Sequence, residues 1–325
     1  MGRVVLVTGI SRDIGRRFAR AAAGDPSIER VIGVDVVPPR GDIGEVSFVR
    51  ADIRNPVIAK VLAKEDVDTV VHMSVIATPG SAGGRGTMKE LNVIGSMQLL
   101  AACQKSTTVQ RLVVKSTTTV YGSSPRDPAM FTEDMGPKRT PSSGYAKDVY
   151  EIEGYVRGFA RRRPDVDVTL IRAANVVGPH VVSPLTNYFR LPVIPRVLGF
   201  DPRLQFLHED DLLDVLRHAA VTGTPGTFNV AGAGLMTLSQ AVRRLGTPSV
   251  AMPRFAVARL GATMRQARIS DFSPEQLVFL TYGRGVDTTR MRTLLGFAPT
   301  YSTAEAFADF CRDLAPAPLA GAGRG

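Results

Sequence analysis

Eight residues, Thr8-Gly9-Ile10-Ser11-Arg12-Asp13-Ile14-Gly15, join a short β-branched run to a helical pattern. Glycine in such a turn lets the backbone approach a diphosphate, and the helix that follows offers free N–H groups and the positive end of its dipole. Asp35 ends the run VIGVD, twenty residues after Gly15. A carboxylate there accepts hydrogen bonds from adenosine ribose hydroxyls and repels a 2′-phosphate, which points to NAD as cofactor. Arg12 would favour a 2′-phosphate and keeps NADP open. Asp52-Ile53 follows another such run. An aspartate there either reaches an adenine amino group or caps a turn.

These groups need a scaffold that brings turns to one edge. Val4–Val7, Val31–Val34, Val46–Val49, Thr69–His72, Leu112–Lys115 and Val168–Ile171 are continuous apolar runs, as strands buried on both faces are. Helical patterns at Ile14–Ala23, Pro56–Ala63, Met88–Gln104 and Ala146–Arg162 alternate with them. The expected fold is therefore α/β, a Rossmann-type doubly wound parallel sheet. After about Asn175 prolines become frequent and the alternation is lost, with one strand candidate, Thr227–Val230, returning. The expected organisation is a cofactor domain over 1–178, rejoined by 204–232. A smaller irregular substrate-binding portion spans 179–203 and 233–314, and an Ala/Pro/Gly tail, 315–325, is expected to be disordered.

An apolar share of 44% with 22% charged residues fits a soluble globular chain. No apolar run approaches the roughly 18 residues of a membrane span. The first residues read as a strand rather than a leader. Two cysteines, Cys103 and Cys311, and four scattered histidines offer no metal spacing, so a reducing cytoplasm is expected. The net charge of +10 is spread along the chain. It fits an anionic small substrate or plain arginine usage better than nucleic acid. The Gly80–Gly86 run lacks a P-loop ending and reads as a loop near the cleft mouth. Arg254–Arg268 is basic and amphipathic; packing on the cleft domain is a commoner use of such a helix than a membrane surface. His208 with Glu209, Asp210 and Asp211 is poor metal geometry.

Taken together, the motifs resemble the extended short-chain dehydrogenase/reductases, the NAD-dependent epimerase/dehydratase group of the UDP-glucose 4-epimerases. The resemblance spans about Val4 to Phe310. It rests on TGxxxxxG, Asp35, Asp52-Ile53, VVHMS (70–74), LNVIGS (91–96), STTTVYG (116–122), SGYAK (143–147), RAANVVGP (172–179), FLHEDD (206–211) and FNVAGAG (228–234). It implies Thr117 and Tyr145 as the catalytic pair. It implies Gly9, Ser11, Arg12, Asp13, Ile14, Gly15, Asp35, Asp52, Ile53, Met73, Ser74, Asn92 and Tyr145 around NAD. Thr117, Asn175 and, as an anion contact, Arg203 would meet a nucleotide-sugar substrate. A homodimer through the helices at 88–104 and 146–162 is implied as well.

Two positions depart from the pattern. Arg12 stands where the family's turn has glycine, and Val149 stands where its Tyr-x-x-x-Lys pair has lysine. Residues i and i+4 lie about 40° apart on a helix, so lysine there serves the phenol and the cofactor ribose together. Lys147, at i+2, points roughly 200° around the helix. Asp148, if it faced the phenol, would raise a pKa that is already about 10. Lys115 is the other nearby lysine. The expected function is an NAD-dependent sugar-nucleotide epimerase, dehydratase or related oxidoreductase. The alternative is a catalytically impaired NAD-holding sensor or scaffold.

Overall fold

The computed structural model describes residues 2–77, 83–141, 144–266 and 273–314. In the first half, strands and helices alternate: β1 (Arg3–Thr8), α1 (Asp13–Ala23), β2 (Ile28–Asp35), β3 (Ser47–Arg50), α2 (Val57–Lys64), β4 (Thr69–His72), α3 (Arg85–Lys89), α4 (Gly95–Lys105), β5 (Arg111–Thr117), α5 (Gly144–Arg162) and β6 (Asp167–Ala173). Beyond them come β7 (Asn175–Val177), α6 (Pro184–Phe189), β8 (Ile194–Val197), β9 (Arg203–Leu204), β10 (Phe206–His208), α7 (Glu209–Thr222), β11 (Gly226–Val230), β12 (Met236–Thr237), α8 (Leu238–Leu245), β13 (Ser249–Met252), α9 (Arg254–Gln266), α10 (Pro274–Tyr282), α11 (Thr289–Thr293) and α12 (Thr303–Leu314). Residues 80–82 of the Gly-rich run, Ser143, 267–268 and the tail 315–325 lie outside the described residues.

Seven parallel strands form one sheet in the order β11-β6-β5-β4-β1-β2-β3. Val5, Leu6, Val7, Val70, Val71 and Leu112 have no exposed surface. Helices cover both sides of the inner strands, which is why apolar residues run consecutively in them rather than alternating. The order reverses between β1 and β4, and in such sheets a crevice opens outside the carboxyl ends at the reversal. A second core gathers Tyr188, Phe189, Phe206, Phe307 and Phe310 from α6, β10 and α12. Val286, Met291 and Leu295 pack with the sheet's core, so α11 returns to the first unit although it lies in the stretch expected to belong to the second.

The single helix expected over Met88–Gln104 is α3 and α4 joined by a wide π turn, Glu90–Ile94. Asn92 sits in that turn with no exposed surface. Its amide accepts from Ile76 N at 2.7 Å and donates to Ile76 O at 2.9 Å, clamping the loop after β4. Ile94 of the π turn, Met97 of α4 and Tyr155 of α5 are exposed.

His72 links three elements under the crevice. Ser96 Oγ donates to Asn92 O, so His72 Nε2 must donate to Ser96 at 2.7 Å. Nδ1 then accepts from Thr8 Oγ1 at 2.8 Å, and the ring is neutral. Burial first, and the Lys115 charge second, push its pKa down to about 4. Because the unfolded ring titrates near 6.5, this contribution to stability is complete above about pH 6.5 and disappears as pH falls toward about 4. Urea unfolding should therefore show the wild type losing roughly 3 kcal/mol more than His72→Gln over that interval. Equal pH slopes for the two proteins would contradict the neutral buried ring.

Candidate cofactor and reaction site

At the reversal point lies an open cavity of about 220 Å³, lined by Gly9, Ser11, Arg12, Asp35, Asp52, Ile53 and Ser74 and walled by Val36, Val37, Ala51, Ile76 and Leu91. The turn requires both its glycines. Gly9 has φ +84°, and a Cβ on it would stand 3.0 Å from Ser74 Cα. A Cβ on Gly15 would penetrate the carbonyl oxygen of Gly9. Arg12 is the N-cap of α1, but its side chain caps nothing. The first-turn N–H groups of α1 thus have no side-chain cap, as a diphosphate site at a helix N-terminus needs.

Asp35 does more than its spacing suggests. Its carboxylate accepts from Ser11 N at 3.0 Å, Ser11 Oγ at 2.6 Å and Val36 N at 2.8 Å. It therefore holds the turn in shape while facing the cavity. Asp52 is gripped by Arg54 through Nε and Nη2, and that hydrogen bonding holds its pKa below the ordinary carboxylate value. Asp13 turns its carboxylate to Arg16 and Arg17, so only its backbone is offered to an anion. Ile14 packs on the core, and Met73 is buried with its N–H donated to Thr8 Oγ1. Asn92 is fully enclosed and hydrogen-bonds Ile76, which lines the cavity, and Asp148.

Thr117 ends β5 half-buried and starts the 3-10 turn Thr118–Tyr121, against which α5 packs. Tyr145 is half-buried in the first turn of α5. Burial, then the charge of Asp148, hold its phenol above the ordinary tyrosine value, and Arg12 partly opposes them. Asp148 is not aimed at the phenol: it has no exposed surface and takes two hydrogen bonds from Arg85 and one from Asn92. Val149 is 1% exposed in the core, and Lys147 lies 3.8 Å from Glu151, its ion-pair partner. Lys115 shares its face of β5 with Thr117. Burial, then Arg12, push its pKa down to about 8. Asn175 is half-buried at the start of β7, just past the end of β6. Arg203 is exposed on β9, with no side-chain partner among the described residues.

Several motif residues serve as foundation. Ser116 Oγ donates to Glu153 at 2.6 Å, Arg172 grips Glu153 at 2.7 Å, and Arg172 also donates to the Tyr121 hydroxyl at 2.7 Å. That hydroxyl in turn donates to Asn229 at 2.7 Å. The segment FLHEDD is likewise structural. His208 caps α7 and pairs with Asp309, Glu209 meets Arg17 and His180, and Asp211 accepts from Thr300 and Tyr301 N–H groups. Arg85 and the apolar walls escaped the sequence reading. Four of the walls, Val36, Val37, Ala51 and Ile76, are loop residues with no motif of their own.

Residues 5–231, more than two thirds of the chain, match the family model described as the NAD dependent epimerase/dehydratase family. An uncharacterized protein of Mycobacterium tuberculosis is 48% identical over 98% of this chain and 85% of its own length. The UDP-glucose 4-epimerase of Mycolicibacterium smegmatis is 27% identical over 80% of each. Among solved structures, a UDP-glucose 4-epimerase of Thermotoga maritima with UDP-glucose superimposes with a TM-score of 0.73 at 19% identity, covering 95% and 98% of the two chains. The UDP-glucuronic acid 4-epimerase of Bacillus cereus with UDP-glucuronic acid and NAD gives 0.72 at 18%, over 96% and 98%. The turn, the sheet order and the extent of the match agree, and the chain belongs to the NAD-dependent epimerase/dehydratase family.

Proposed function

We propose that this chain binds NAD in the crevice at the β1/β4 reversal and uses Thr117 and Tyr145 on a hydroxyl of a nucleoside-diphosphate sugar, as an epimerase, dehydratase or related oxidoreductase. The observation that carries this reading is the cavity at the sheet reversal: the glycine turn at Gly9, Asp35 and Asp52 line one open space at the carboxyl ends of a sheet that also carries Thr117 at the end of β5. Bound NAD supplies the hydride acceptor. Tyr145 would take the hydroxyl proton, and Thr117 Oγ1, held by Thr119 N at 3.2 Å, would orient that hydroxyl. Asn175 and Arg203 are proposed to contact the sugar and the diphosphate.

The buried Val149 favours a second reading, an NAD-holding protein with little turnover of its own. Purified chain mixed with UDP-glucose, UDP-galactose or UDP-glucuronic acid should give product and a transient NADH absorbance. Mass spectrometry of small molecules released on denaturation should find NAD. NAD without turnover on any sugar would favour the second reading, and an empty crevice that rejects added NAD would end both.

A further inference from the structure

The two faces of the basic helix α9 meet different surroundings. Val257, 1% exposed, joins the second core, and Gly261 is buried on the same side, where α9 packs on β8 and α10. The opposite side is bare. Phe255 is 67% exposed, and Arg259, one turn on and on the same face, is exposed with it. Neighbouring elements extend this face. β13 pairs with the parallel β8 and sets Val250, 50% exposed, opposite Pro195. Just past β8, Leu198 donates its N–H to Met252 O at 2.8 Å, which ties it to the residue two before the start of α9, and its side chain is 60% exposed. Phe200 stands edge-on to Tyr282 at 5.6 Å, and the Arg254 guanidinium lies 5.9 Å over the same ring.

Single exposed apolar residues are ordinary, but several large ones gathered on one face mark a contact surface. The charges say of what kind. Residues 215–270 hold no Asp or Glu, while arginines recur at 243, 244, 254, 259, 265 and 268. Arg254 and Arg259 are exposed and make no ion pair among the described residues. Asp201, next to Phe200 in the chain, is taken up by Ser239, whose N–H and Oγ donate to it at 2.8 and 2.6 Å. A second copy of this chain would set like charges against one another across a two-fold axis. Nucleic acid is met by cations and has little use for exposed Phe and Leu tips. Apolar tips beside unpaired arginines complement a surface that is anionic outside and hydrocarbon just beneath.

We propose that this face, the end of β8 with β13 and the outer side of α9, docks the chain on an anionic lipid bilayer. Phe255, Leu198 and Val250 enter the boundary between headgroups and acyl chains, and Arg254 and Arg259 meet lipid phosphates. β13 and α9 lie beyond residues 5–231, the extent of the family match, so the docking face is separate from the motifs that build the cofactor site.

The chain contains no tryptophan, so Phe255→Trp places a lone reporter on the face. With vesicles of equal parts phosphatidylglycerol and phosphatidylcholine, its emission should shift to the blue and be quenched by brominated acyl chains. The wild-type chain should sediment with the same vesicles and bind phosphatidylcholine alone about tenfold more weakly or worse. Arg254→Gln with Arg259→Gln should weaken binding by roughly tenfold or more, and Phe255→Ser with Leu198→Ser by a similar factor. All four side chains are exposed, so melting temperatures should stay near that of the wild type. Failure to bind the anionic vesicles, equal binding to both kinds of vesicle, or serine variants that bind as the wild type does would overturn the proposal. Binding to soluble polyglutamate as tight as to the vesicles would instead mark an acidic protein as the partner. A dimer in ultracentrifugation that the serine substitutions dissolve would mark a second copy, and either result overturns the proposal as well.

Discussion

Tyr145→Phe is expected to lower nucleotide-sugar turnover by roughly 10²–10⁴-fold, the usual worth of one positioned acid/base group. The ring packs against the sheet's core, and phenylalanine keeps that packing. NAD affinity and melting temperature should therefore stay close to wild type. The pH profile adds a second expectation. A base must be ionised to accept a proton, and this phenol is held above the ordinary tyrosine value by burial and then Asp148. The ionised fraction at neutral pH is small, so kcat/KM should climb about tenfold per pH unit from neutrality until the fold fails or binding of the sugar shifts the phenol. Retention of more than a third of wild-type turnover in Tyr145→Phe would remove Tyr145 from the chemistry. A rate flat with pH would mean that another group accepts the proton.

How far the fold can be read from the residues depends on how local its causes are. The inner strands β1, β2, β4, β5 and β6 contain largely apolar runs, because burial on both faces leaves little polar alternation to blur the signal, whereas the edge strands β3 and β11 are partly exposed. The glycine turn and Asp35 are visible for a similar reason: the backbone geometry at Gly9 and Gly15 admits little else. Beyond Asn175, strands such as β9 and β12 are two residues long and carry no periodicity to detect. The π turn at Glu90–Ile94 was hidden because it depends on Asn92 reaching the loop at Ile76, a tertiary contact. Charges were harder still. Asp148 raises the phenol's pKa as helical spacing suggests, but spacing does not disclose Arg85, 63 residues earlier, which also holds its carboxylate. Arg12 departs from the family's glycine, and its place in the cavity lining beside Asp35 leaves no trace in spacing.

Glu153→Ala is expected to destabilise the fold by about 3–5 kcal/mol, the cost of stranding a buried charge. Glu153 is 1% exposed on α5 and accepts from Ser116, Arg172 and Arg157. Burial presses the Arg172 guanidinium toward its neutral form, and the hydrogen bonds and charge of Glu153 more than reverse that. Without Glu153, Arg172 keeps only the Tyr121 hydroxyl and the Glu133 carbonyl, which carry no full opposite charge. The melting temperature should fall by on the order of 5–10 °C. The double substitution Glu153→Leu with Arg172→Met should cost less than Glu153→Ala, because it leaves no charge unpaired. Equal or greater loss in the double would show that the pair is held for packing rather than for charge. The consequence for chemistry follows from Ser116, which Glu153 anchors one residue before Thr117. In the single variant, Thr117 should lose its fixed aim, and turnover should fall even at temperatures where the protein remains folded. In the double, apolar packing restores stability but not the hydrogen bond to Ser116. Stability should therefore recover further than turnover does, and a full recovery of both would show that Thr117 is positioned by the 3-10 turn alone.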